Sequence, residues 1–288
     1  MKKIISLICA FLILFSVTSC QKKEEINIKI SGSEFLSALL KDGAVTVTGS
    51  LENETAFTDV KDIFVIRESL ILLKNDGTLD VRGEINPGIE PIRKWTDIVK
   101  ISGTSNSMVG LKSDGTVVAA GSNNVKQLEV AEWKDIVDIS CSGAHTVGVK
   151  KNGSVVATGR NEHGECDVSG FTDAVSVETG IYCTVVLKKD SSAEGCGKNP
   201  SGAHDIKYYK SLKQISVCER NGIALKKDGT VKIFGQNAPK EELGWTNIVK
   251  AFATPSGFFA VTAEGKILYH GDTEYMEQSN GASALISE

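Results

Sequence analysis

Histidine is scarce. The chain has four in 288 residues, His145, His163, His204 and His270, and no pair in the H-E-x-x-H pattern of a zinc-binding helix. That excludes the paired-histidine zinc hydrolases. There is also no phosphate-cradling glycine loop and no G-x-S-x-G elbow, which removes the P-loop nucleotide hydrolases and the α/β-hydrolases. Positive charge is not in excess: 32 Lys and Arg face 36 Asp and Glu, a net of −4. Nucleic acid is thereby disfavoured as a partner, because phosphate binding needs concentrated basic surface. Long helical stretches are missing too. Beyond residue 25 no window shows a sustained apolar period of 3.6, so a helical bundle is excluded.

Long apolar runs are limited to one, Ile4 to Val17, preceded by Lys2 and Lys3. It is too short for a comfortable spanning helix, which takes about 20 apolar residues. A basic start, a short apolar core and small residues before a cut describe a secretory signal. The cut region reads Val17-Thr18-Ser19-Cys20 and resembles the lipobox of bacterial lipoproteins. The resemblance implies a signal peptide over residues 1–19, diacylation of Cys20, and export to the cell envelope as an outer-membrane or cell-surface lipoprotein. Two acyl chains anchor stably where one does not. Residues 20–25 then form a short charged linker. Losing Lys2 and Lys3 moves the net charge from −4 to about −6.

Cys9 leaves with the signal and Cys20 is assigned to lipid, so Cys141, Cys166, Cys183, Cys196 and Cys218 remain. An exported compartment permits disulfides, and an odd count leaves at least one thiol unpaired. Small buried cysteines are the ordinary reading of these positions; the alternative is a disulfide from Cys183 to Cys141 or Cys218.

The feature that organises the chain is a repeat. Asp-Gly or a close variant recurs every 34 to 38 residues, at 42, 76, 114, 152, 190, 228 and 264. A glycine follows each mark by seven residues: Gly49, Gly83, Gly121, Gly159, Gly197, Gly235 and Gly271. Aromatics make up only 6% of the chain, yet one stands nineteen residues before six of the seven marks: Phe57, Trp95, Trp133, Phe171, Tyr209 and Trp245. Three marks in phase over seven copies mean one supersecondary unit stacked repeatedly.

The third copy shows the unit. Residues 97–102 alternate as a strand, 108–112 form a second strand, Asp114-Gly115 turns the chain, and 116–120 form a third. Asp-Gly between apolar runs is the strongest short hairpin signal. A weaker fourth strand is expected near Leu128-Glu129-Val130. Three or four short antiparallel strands in seven copies predict an all-β, seven-bladed β-propeller over residues 26–272. The second strand is expected innermost, because its apolar run does not alternate and small residues such as Gly110 and Gly148 suit a taper. The recurrent aromatic is expected as a spacer between blades. Residues 273–288 form a tail whose Ala284-Leu285-Ile286 is expected to close the ring.

These repeats resemble the regulator of chromosome condensation family in a compact bacterial form. The lines that carry the likeness are Trp133-Lys134-Asp135-Ile136-Val137, the run Ser142 to Lys150, Asn152-Gly153-Ser154-Val155-Val156-Ala157, and the run Gly159 to Glu165. The resemblance implies a seven-bladed propeller. It implies no single activity, since members include exchange factors for small GTPases, chromatin binders and a secreted inhibitor of β-lactamases. Fold alone does not supply function.

Chemistry is sparse. No catalytic residue, metal site or cofactor is predicted. His163-Gly164-Glu165-Cys166 offers metal-capable groups without the remaining ligands of a tetrahedral site. His145 occupies a repeat slot held elsewhere by Ser69, Ser107, Cys183, Asn221 and Gly257, and is expected to be satisfied by loop hydrogen bonds. Variation concentrates in the loop between first and second strands. Glu34, Arg67, Glu68, Asn106, His145, Tyr182, Glu219 and Arg220 share that ring and are the predicted partner-binding residues. Variable loops on a rigid scaffold are how binding sites are usually built. The expectation is a monomeric, membrane-tethered, non-enzymatic scaffold that binds a protein or envelope polymer. The alternatives are an axial lyase or hydrolase acting on carbohydrate through Glu34, Glu68 or Glu219, and an inhibitor of a secreted hydrolase.

Overall fold

The structure is a computed structural model that describes residues 28–32, 36–51, 53–54, 57–198, 205–235, 238–239, 241–255 and 257–271. Cys20, Glu34 and the tail 273–288 lie outside these residues. Seven three-stranded antiparallel sheets follow in chain order, each with its strands in the order first, second, third. Blade one is Ile28–Gly32, Leu36–Lys41 and Ala44–Gly49; blade two is Val60–Ile66, Ser69–Lys74 and Leu79–Arg82. Blade three is Ile98–Gly103, Ser107–Lys112 and Val117–Gly121; blade four is Ile136–Cys141, His145–Lys150 and Val155–Gly159. Blade five is Ala174–Thr179, Cys183–Lys188 and Ala193–Gly197; blade six is Leu212–Cys218, Asn221–Lys226 and Val231–Gly235. Blade seven is Ile248–Thr254, Gly257–Thr262 and Ile267–Gly271.

The first strands touch those of both neighbours all round, and blade seven meets blade one, so the ring is closed. The first strand therefore lines the axis. The second strand, expected there, is instead the middle strand of its blade. Its continuous apolar run is explained by burial on both sides of the sheet: residues 145–149 are all buried, as are 183–187 and 221–225. Seven apolar clusters fill the seven gaps between blades. The gap between blades three and four holds Val109, Leu111, Ile136 and Ile139, and the closing gap holds Ile28, Ile30, Phe259 and Val261.

Each repeat mark has a physical cause. The mark glycine takes positive φ, as at Gly115 (82°), and in blade five Ser191 adopts the same conformation at 69°. The mark acid turns its side chain onto its own loop: Asp114 Oδ1 accepts the Thr116 N–H at 2.9 Å and the Thr116 hydroxyl at 2.6 Å. In blades two to six the glycine seven residues on also has positive φ, and it lies against the start of the second strand. A Cβ on Gly159 would sit 2.5 Å from the Ala144 carbonyl oxygen. The aromatics pack in the gaps between blades, as expected, with Trp133 in the third gap and Trp245 in the sixth. They also explain the small residues of the second strand: a Cβ on Gly148 would stand 2.8 Å from the Trp133 ring.

The expected fourth strand does not form. Residues 122–130 are a tied return loop in which Asn123 Oδ1 accepts the Leu128 N–H at 2.8 Å, and Val130 drops into the core beneath it. Elsewhere the return is made by the 3₁₀ helices Pro87–Lys94 and Asp205–Tyr208, whose Ile89, Ile92 and Ile206 are buried.

All Asp-Gly turns stand on one face. The turn carbonyl of each blade from two to six accepts the N–H at the start of the next first strand. These bonds are Gly77 to Ile98, Gly115 to Ile136, Gly153 to Ala174, Ser191 to Leu212 and Gly229 to Ile248, at 2.8–3.0 Å. This circle defines a turn face. The loops between first and second strands define the opposite, loop face.

Candidate functional site

The loop face places Arg67, Glu68, Asn106, Tyr182, Glu219 and Arg220 on short connections of two or three residues between buried strands. Arg67 and Glu219 open the two-residue turns of blades two and six, each in the left-handed region at φ 52°. Such backbone is uncommon for residues other than glycine, and it points these turns outward.

Three of the predicted residues come together. Arg67, Glu68 and Asn106 line an open cleft of about 510 Å³ between blades two and three. Its other polar walls are Ser50, Glu84, Asn86 and Ser105, and Leu51, Ile66 and Ile85 supply apolar floor. The cleft is built rather than incidental. Asn86 accepts the Gly88 N–H at 2.8 Å and donates to Asn106 Oδ1 at 3.3 Å, fixing both amides along one wall. Ser50 donates to the Glu68 carbonyl, and Ser69 to that of Glu84, so the backbone of both rims is held from below.

Tyr182 belongs to a second group, at blades four to six. The Arg160 guanidinium lies 4.9 Å from the Tyr182 ring centroid and Lys198 Nζ 5.9 Å from it, while His163 meets the ring edge-on at 5.1 Å. Arg160 donates to the Ile181 carbonyl at 2.8 Å and to Glu165 at 3.0 Å. The Ile181 N–H in turn donates to the Glu219 carbonyl at 3.0 Å, which couples this loop to the turn of Glu219 and Arg220.

His145 is not part of the exposed surface. It is 0% exposed. Its ring nitrogens meet the Ser142 hydroxyl at 2.9 Å and the Thr184 hydroxyl of the next blade at 3.1 Å. Burial drives its pKa down to about 4; Glu165 opposes that shift and Arg160 adds to it. It begins a strand instead of ending a loop, and its work is to join blades four and five. Glu165 is likewise buried. Desolvation raises its pKa, but its backbone hydrogen bonds and Arg160 outweigh that and hold it below the ordinary value. Within the run His163 to Cys166 the Glu165 carboxylate accepts from Arg160 and from the His163 N–H. Among the described residues Cys141, Cys166, Cys183, Cys196 and Cys218 form no disulfide, so the pairing of Cys183 with Cys141 or Cys218 is not made.

The axis holds a set of charges that the loop reading missed. Lys29 pairs with Asp62 at 2.6 Å and Lys100 with Asp138 at 2.5 Å, each across one blade gap. Two residues further along the first strands, Ser31, Ser102, Ser140 and Ser216 each accept a backbone N–H from the following blade at 2.8–3.0 Å. Glu178 fills the same slot in blade five and accepts from Val217. Burial pushes its pKa up to about 7, with Asp138 adding and Lys100 and Lys29 opposing. Glu68 and Glu219, the axial carboxylates of the enzyme alternative, are instead exposed on loop-face turns, and the axial acids are Asp62, Asp138 and Glu178. The sequence signal was present: fourteen residues before the mark, inside an apolar strand, stand Asp62, Lys100, Asp138, Gln214 and Lys250.

A closed ring of seven blades with a polar axis and one face of variable loops defines a β-propeller of the kind used for binding. Residues 136–165 match the regulator of chromosome condensation (RCC1) repeat. The other copies carry the same marks in phase, so the repeats of this chain are RCC1-like. No curated protein matches the sequence. Among solved structures it is similar to the CRINKLY WD40 ectodomain of the Arabidopsis thaliana receptor kinase ACR4, at 15% identity and a TM-score of 0.65, over 85% of this chain and 96% of that one. The ectodomain of the Physcomitrella patens receptor kinase CR4 aligns at 13% identity and a TM-score of 0.64, over 85% and 72%. Prp20p of Saccharomyces cerevisiae, studied for its binding to Gsp1p and histones, aligns at 15% identity and 0.57, over 77% and 73%. At these identities the likeness is one of fold.

Proposed function

We propose that this protein is a non-enzymatic binding scaffold, held to an envelope membrane through lipid on Cys20, that engages a protein partner with its loop face. The observation that carries the reading is the cleft of about 510 Å³ that gathers Arg67, Glu68 and Asn106 from separate blades. Its polar walls over an apolar floor suit an extended peptide segment or an exposed loop. Arginine and tyrosine are favoured anchors in such interfaces, and the second group presents Tyr182 beside Arg220 on the same face. The scaffold reading also agrees with Prp20p, which binds Gsp1p and histones and forms a complex with Kap60.

The test is affinity capture from envelope extract of the source cell, using three baits. One is unaltered, one carries Arg67→Ala with Asn106→Ala, and one carries Tyr182→Ala with Arg220→Ala. A partner captured by the first bait and lost by the second supports the cleft, and loss only with the third moves the site to blades four to six. Equal capture by all three refutes a loop-face site.

A further inference from the structure

The turn face is not inert. Among the described residues, four of the five exposed large apolar side chains belong to it or to the segment that feeds it: Val99, Val137, Val175 and Tyr208, at 36%, 49%, 46% and 69% exposure. The three valines share one repeat position in three consecutive blades. In each the pairing register slips at that residue, between Ile98 and Lys100, Ile136 and Asp138, and Ala174 and Ser176. A bulge of this kind re-aims the extra side chain, and here it turns valine out of the sheet.

The same arc is basic. On the turn face of blades four to six, residues 134–137, 150–154, 172–175, 188–192, 210–213 and 226–230 carry nine lysines and four aspartates. This excess of five positive charges stands on a chain whose net charge is −4. Two of the acids, Asp190 and Asp228, are turned back onto Ser192 and Thr230 of their own loops. Lys151, Lys189 and Lys227 are exposed at equivalent positions in three successive blades, and Lys213 replaces valine at the bulge of blade six.

The first strand of each blade starts on this face, so Ile28 lies on it. Cys20 is eight residues before Ile28. At roughly 3.3–3.6 Å per residue, eight residues reach at most about 28 Å. A group carried by Cys20 is thus within about 28 Å of Ile28 on the turn face.

We infer that the turn face of blades three to six docks on an anionic lipid bilayer, with Val99, Val137 and Val175 entering the headgroup layer and Lys151, Lys189, Lys213 and Lys227 meeting lipid phosphates. Lysines around a small apolar patch match the charge and polarity of such a surface. Docked this way, the loop face points away from the membrane. The inference rests on the turn face and not on lipidation or on any loop-face partner, so its test is independent of theirs.

The test uses the chain from residue 21 onward without lipid; the ring closes within residues 28–271, so no described contact is lost. Flotation with phosphatidylcholine vesicles containing phosphatidylglycerol is compared with flotation on phosphatidylcholine alone. Binding is expected only to the anionic vesicles, weakened at least tenfold by Lys151→Glu with Lys189→Glu and Lys227→Glu. Val99→Ser with Val137→Ser and Val175→Ser is expected to weaken it too, whereas Arg67→Ala with Arg220→Ala leaves it unchanged. Amine labelling of the unaltered chain gives a second readout that needs no variant: Lys151, Lys189 and Lys227 are protected on vesicles and Lys126, on the loop face, is not. Absence of binding to anionic vesicles overturns the inference. So does binding that the lysine variant keeps, or protection of Lys126 in place of the three. Capture of a soluble acidic protein by this face without vesicle binding would overturn it in favour of a protein partner.

Discussion

His145 and Glu178 make opposite demands on pH, and each can be unmasked by removing the other. His145 is a base held down to about 4 from an ordinary 6.5. Between these values the unfolded chain binds the extra proton, so its contribution to stability is present above pH 6.5 and is lost as pH falls toward 4. Glu178 is an acid raised to about 7 from an ordinary 4.5. Here the folded chain binds the extra proton, so the ring gains stability as pH falls through 7 toward 4.5. Linkage converts each shift into about 2 kcal/mol between roughly pH 7.5 and 5, with opposite signs. From these two groups the unaltered protein is therefore nearly level across that window. Glu178→Gln keeps an acceptor for the Val217 N–H and removes the titration, so its urea midpoint should fall steadily toward pH 5. His145→Asn places in blade four the residue that blade six carries as Asn221, and its midpoint should rise toward pH 5. The groups facing Glu178 are Lys29, Lys100, Asp138 and the Cys218 thiol, and those facing His145 are Glu165 and Arg160. Equilibrium unfolding at about pH 7.5, 6.2 and 5 measures the slopes, and single-variant slopes of the same sign would refute the reasoning.

Gly159→Ala would force a methyl to 2.5 Å from the Ala144 carbonyl oxygen at a φ of 116°. A loss of about 2–4 kcal/mol by denaturant unfolding is expected, far above an ordinary surface change. Arg160→Ala leaves the fully buried Glu165 carboxylate without its cation and should cost about 3–5 kcal/mol. Trp133→Ala removes a partly buried ring from the gap between blades three and four and should cost about 2–3 kcal/mol, read in the same assay. Arg67→Ala with Asn106→Ala should abolish partner capture while leaving the melting temperature within about 2 °C of the unaltered protein, since both side chains are exposed.

The blade period, the hairpin turns, the glycine and the aromatic were all legible, because each answers a local steric demand that repeats. The hydroxyl two residues after the mark, at Thr78, Thr116, Ser154, Ser192 and Thr230, was equally readable and explains why an acid or Asn precedes it. What escaped were the polar contacts made with a neighbouring blade. His145 looked like a loop residue, since Thr184, its partner, stands 39 residues on. The strand that lines the axis was misassigned because an apolar run reads alike in the middle of a blade and beside a lumen. Of the site, the ring of loops was legible from variation alone. The cleft was not, since Asn86 and Glu84 reach it from a third-strand exit outside that ring.

The glycine that closes each blade also governs what can be changed. Gly121, Gly159, Gly197 and Gly235 each lie against the backbone carbonyl just before the second strand, fixing the foot of one loop from within its own blade, while the Ile181 N–H to Glu219 bond ties the loops of blades five and six together. Two-residue and three-residue loops already stand side by side on these feet. Insertions between foot and strand end should therefore stay local, and the loop face can be treated as a set of interchangeable slots on a single chain. New recognition could be grafted one slot at a time, by selection or design, without re-engineering the ring.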